Sequence, residues 1–118
     1  MGIPSTVQIG PLRFRVIADK EELRAVRQQY FISDETVGLM HGLTQRILLD
    51  PDVAPDEIAD TLLHEVLHAC FHTSRAGLGE KREEKAVRAV CTLLLDTLRR
   101  NPELVAFLLN EAPLDEVP

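Results

Sequence analysis

Tryptophan is absent, and the other aromatics stop at four Phe and one Tyr in 118 residues. The core must therefore be assembled from Leu, Val, Ile and Ala rather than from stacked rings. Cysteine is equally scarce. Cys70 and Cys91 have no CxxC spacing and are too few for a disulfide framework or a zinc ribbon. Both are expected to be reduced and buried as small hydrophobes. Basic charge is in deficit, with 13 Lys+Arg against 19 Asp+Glu and a formal net charge of −6. That balance speaks against a sequence-independent phosphate-backbone binder, so nucleic acid is not an expected partner. No apolar run approaches the ~20 residues of a membrane span. The opening Met1-Gly2-Ile3-Pro4-Ser5-Thr6 lacks the charged and apolar regions of a signal peptide. A cytoplasmic location without membrane association is expected.

What is present has an ordinary globular balance, 45% apolar and 27% charged, and the length suits one domain. That domain is expected over residues 1–110, with 111–118 a loose acidic tail. Residues 7–10 and 12–17 flank Gly10-Pro11, and Leu12-Arg13-Phe14-Arg15 alternates as a strand with one wet face does. A β-hairpin is predicted there, then a short helix over 20–30 behind Asp19 as N-cap. A second hairpin pairs 36–41 with 44–49 around His41-Gly42. Asp56 is the expected cap of a helix running to about Thr73, which Gly77 and Gly79 end. Further helices follow over about 81–100 and, after Asn101-Pro102, over the last apolar stretch. Leu104 to Leu109 are expected to cap the core, with a dimer contact as the alternative. The fold class is α+β, hairpins first and helices after.

One motif carries chemistry. His64-Glu65-Val66-Leu67-His68 is HExxH inside a segment already read as helical. Residues four apart share a helix face about 6 Å apart, so two imidazoles can converge on one zinc ion. Glu65 projects to one side, within reach of a water held beside the ion, as a general base requires. Leu62, Leu63, Val66, Leu67 and Cys70 cover the rest of the helix, which implies that the histidines face a second layer. Zinc needs a third protein ligand. The metzincin continuation fails, because Phe71 and Ser74 stand where it needs Gly and His. His72 lies about 12 Å from His64 along a straight helix, too far to share the ion. The acids of the next helix remain. Glu83 shares its stripe with Ala86, Val87, Val90 and Leu94, the centre of the apolar face, whereas Glu84 lies at its edge. A carboxylate amid apolar residues is costly unless paired or metal-bound, so Glu83 is the favoured third ligand and Glu84 the alternative.

The run Asp60-Thr61-Leu62-Leu63-His64-Glu65-Val66-Leu67-His68-Ala69, with Glu83-Glu84-Lys85-Ala86-Val87, resembles the gluzincin-type zinc metallopeptidases. The compact size is similar to the minimal gluzincins and to short HExxH proteins of phages and prophages. A more distant likeness is to peptidase domains of the ImmA type. The resemblance spans roughly residues 36–100. It implies a small zincin-like domain, its sheet packed on the HExxH helix and a following glutamate helix. It implies Zn²⁺ held by His64, His68 and Glu83, with Glu65 as general base and proton shuttle. A peptide substrate would pair with the strand at about 44–49, the rim of the cleft. Tyr30, His41 and His72 are the candidates for stabilising the oxyanion. The alternative function is a zinc-binding regulatory or interaction domain with little or no catalysis.

Overall fold

The computed structural model describes residues 2–33 and 35–110; the expected tail at 111–118 lies outside them. Its α+β fold has a four-stranded mixed sheet and four helices. Strand β1 (Thr6–Ile9) turns through Gly10, whose φ of 54° favours glycine, into β2 (Leu12–Ala18), giving the expected first hairpin. Helix α1 (Lys20–Gln29) follows. The Asp19 carboxylate accepts from the backbone N–H groups of Glu21 and Glu22, satisfying two donors of its first turn. Strands β3 (Gly38–His41) and β4 (Arg46–Leu49) form the second hairpin.

The strand order is β1-β2-β4-β3. β4 inserts beside β2 in parallel, Arg15 opposite Arg46 and Ala18 opposite Leu49, while β3 takes the outer edge. Both edges of β4 are consumed, so the expectation that 44–49 pairs with a substrate is corrected. The available strand beside the helices is β3. Burial agrees: Ile47, Leu48 and Leu49 are all buried, which occurs when a strand is covered on both faces. Ile47 and Leu49 join Phe14 and Ala69 in a cluster against the HExxH helix. Leu48 points the other way, onto Leu23 and Val26 of α1.

Helix α2 (Pro55–Ser74) carries HExxH across the sheet. Its cap is Ala54, not Asp56, with no side-chain cap bond. Pro55, with its φ preset and no N–H to satisfy, starts the helix two residues earlier and leaves Asp56 in the first turn facing the dipole. Arg75, in the left-handed region at φ 55°, ends α2, and Gly79 at φ 84° reverses the chain into α3 (Glu80–Arg100). Cys91 on α3 is buried as expected, whereas Cys70 on α2 is exposed. Helix α4 (Pro102–Leu109) does not cap the core. It has no buried residue, and Leu104, Phe107, Leu108 and Leu109 are all exposed. No helix among the described residues is long and apolar enough to cross a membrane.

Candidate metal centre

Helix periodicity brings His64 and His68 to the side of α2 that faces α3, as their four-residue spacing requires. Two ties fix the separation of the helices there. The Thr92 hydroxyl donates to Asp60 Oδ1 at 3.0 Å, and the Cys91 thiol contacts the Asp60 carbonyl at 3.4 Å. The first turns of α3 then lie against the imidazoles.

Three atoms converge. His64 Nε2 and His68 Nε2 are 3.3 Å apart, and Glu84 Oε1 lies 2.9 Å from the first and 3.3 Å from the second. A tetrahedral zinc site with bonds of about 2.0–2.1 Å has ligand–ligand edges of about 3.3 Å. The donor set, two imidazole nitrogens and one carboxylate oxygen, is also the kind that leaves a fourth position open.

Glu83 stands elsewhere. Its Oε2 meets His68 Nδ1 at 2.6 Å, on the far side of the ring from Glu84. The geometry therefore puts Glu84, not the favoured Glu83, with the two Nε2 atoms. The reason lies in helix phase. Glu83 does point inward with buried Val87, and from the centre of the contact it reaches the back of the His68 ring. The cleft opens at the edge of that stripe, where Glu84 sits. A carboxylate behind an imidazole fixes its tautomer and orientation and raises its basicity, the usual support for a metal-binding histidine.

Glu65 is buried on α2 beneath β3. Burial pushes its carboxyl up to about 7, with Glu84 adding to the rise, while His68 and the Met40 backbone N–H oppose it. Gly38 makes this approach possible. A Cβ there would lie 2.3 Å from Thr61 Cγ2 and 3.2 Å from Glu65 Oε2, so a side chain would push β3 off the helix. The two imidazoles titrate in opposite directions. Burial lowers the pKa of His64, helped by His68 and Arg88 against the pull of Glu84. Burial also opposes the charge on His68, but Glu83, Glu65 and Glu84 outweigh it and its pKa rises.

These groups border a cleft of about 690 Å³ between α2, α3, β3 and the residues Ile32, Ser33, Glu35, Thr36 and Val37. Buried Arg27 donates to the Thr36 carbonyl and so ties α1 to that wall. Among the described residues six carboxylates, from Glu35, Asp60, Glu65, Glu80, Glu83 and Glu84, line the cleft against one Arg88. Such a field favours a bound cation.

None of the three oxyanion candidates lines this cleft. Tyr30 packs on His41 with ring centroids 4.9 Å apart, and His41 Nδ1 shares a 2.5 Å hydrogen bond with the Thr44 hydroxyl at the β3–β4 turn. His72 lies beneath that turn, where a Cβ on Gly42 would come within 2.5 Å of its ring. Sequence reasoning missed two contributors. Arg88, one turn after Glu84, holds its Nε 3.6 Å from Glu84 Oε1, an i,i+4 relation visible in the sequence. Gly38 left no signal beyond being a glycine within a strand pattern.

No family model, curated protein or solved structure matches the chain. The case for any activity rests on the residues of the site itself.

Proposed function

We propose that this protein is a zinc-dependent peptidase, with His64, His68 and Glu84 as the metal ligands and Glu65 as the general base. The observation that carries this reading is the near-tetrahedral spacing, 2.9–3.3 Å, of His64 Nε2, His68 Nε2 and Glu84 Oε1 beside a buried carboxylate. The HExxH pattern and its likeness to gluzincins supply the reaction class.

Bound Zn²⁺ supplies Lewis acidity, which acidifies water and polarises a substrate carbonyl. The chain does the rest. Glu65 takes a proton from the attacking water and returns it to the departing amide nitrogen. Glu83 holds the His68 ring through Nδ1. An extended peptide is received along the outer edge of β3, whose main-chain groups on that side have no strand partner among the described residues. Arg88 is the cationic donor nearest the ligands and is suited to a substrate carbonyl or carboxylate.

A purely zinc-binding regulatory module is the second reading. It is favoured by one observation: Tyr30, His41 and His72 all stand away from the cleft. Zinc-loaded protein incubated with a diverse peptide mixture, and read by mass spectrometry, separates the two. The peptidase reading expects new peptide termini in the wild type and a loss of about 10²–10⁴-fold in Glu65→Gln. Stoichiometric zinc with no cleavage of any peptide would leave the regulatory module.

A further inference from the structure

We infer that α4, together with the outward face of the C-terminal half of α3, is a self-association surface whose occupant is the same surface of a second copy of this chain. Helix α4 has eight residues, PELVAFLL, no side-chain cap bond at its start and no buried residue. Isolated helices shorter than about 12–15 residues are marginal in water, so a helix this short needs an apolar face covered by something. Among the described residues the main contact of α4 is with α3, and Val105 is the one residue of α4 that is half-buried.

The uncovered area is large. Leu104, Phe107, Leu108 and Leu109 are 41, 80, 60 and 75% exposed, and Leu93 on α3 is 69% exposed. The four α4 side chains present on the order of 500 Å² of apolar surface, within the ~300–600 Å² seen for the largest patch on a monomer. With a polar rim this approaches the ~800 Å² that each partner contributes to a standard interface.

Charge selects the occupant. Glu103 is the only charged residue of α4, and the chain as a whole is acidic. The helix therefore offers nothing to draw in an anionic membrane or a nucleic acid. A two-fold pairing of like apolar surfaces needs no charge complement. Arg99, Arg100 and Glu103 put both signs at its rim. Two α3–α4 pairs meeting in this way form a helix bundle of ordinary geometry. No residue of this surface lines the metal cleft, so pairing leaves the cleft open.

The test is the mass of the full chain by sedimentation across an about hundredfold concentration range, for wild type, Phe107→Glu and Leu93→Glu. The wild type is expected to reach the mass of two chains. Phe107→Glu is expected to weaken association about thirtyfold or more, and Leu93→Glu to weaken it less. Both side chains are exposed, so both variants are expected to keep the wild-type far-ultraviolet circular dichroism and denaturation midpoint, which shows that the domain remains folded. A single-chain mass for the wild type at every concentration would overturn the inference. So would a dimer that neither substitution weakens.

Discussion

The first half of α3 carries its glutamates and lysines and the second half its leucines, yet the surroundings of the two halves invert what that composition suggests. From Glu80 to Cys91 the inward residues meet α2: Glu83 and Glu84 lie on imidazoles, and Val87 and Cys91 are buried. From Thr92 onward no residue of the helix is buried, and Leu93 stands in solvent. Two glutamates are thus held more closely by the fold than a leucine three turns away. Opposing chemistry, not polarity alone, decides which side chains are held. The carboxylates are held at the contact because histidines face them, whereas beyond Cys91 the leucines are at best half-buried, Leu94, Leu95 and Leu98, or exposed, Leu93.

The largest effect that can break this comparison is at Glu84. Glu84→Ala removes the proposed third ligand and is expected to weaken zinc binding by more than about a hundredfold, measured by competition with a chelator. Glu83→Gln is expected to cost about 10–100-fold in the same assay while keeping one zinc per chain at saturation, the behaviour of an orienting partner. A reversed ranking would restore Glu83 as ligand. Two valines test the packing half. Val87→Ala, at a buried site, is expected to cost about 1–3 kcal/mol in chemical denaturation, whereas Val90→Ala, half exposed, costs less than about 1 kcal/mol.

The smallest effect concerns the cysteines. Burial, with Asp60 adding to it, pushes the Cys91 thiol up to about 11. The unfolded thiol ionises from about pH 9, so between pH 9 and 11 the folded state holds the extra proton. Stability is lost as pH rises through that window, and Cys91→Ala is expected to flatten the loss. Exposed Cys70 is expected to alkylate well before Cys91.

The local elements were legible because their signals are local. The Gly10-Pro11 turn, the Asp19 cap and the helical spacing of Leu62, Val66 and Ala69 each act within a few residues. Pairings across the chain were not. The unbroken run Ile47-Leu48-Leu49 could have marked a strand covered on both faces, but the gluzincin resemblance put it at the rim of the cleft. The parallel partnership with β2 depends on α1 crossing between them, which no short window contains. Within the site, His64, Glu65 and His68 follow from helix pitch alone. The choice between Glu83 and Glu84 turned on where α3 crosses α2. Phase identified the inward stripe correctly, yet a cleft opens at the edge of a stripe, and the central residue came to rest behind His68. The exposure of α4 was equally hidden, since PELVAFLL reads the same whether it covers its own core or another chain.

Elemental zinc content per chain, measured on protein purified without added metal beside His68→Ala and Glu65→Gln, tests the central claim most directly. One zinc is expected in the wild type, none in His68→Ala and one in Glu65→Gln, because Glu65 lies beside the proposed ligands without being one. A wild type that holds no zinc even after reconstitution, or a His68→Ala variant that keeps it, would contradict the assignment of the metal centre.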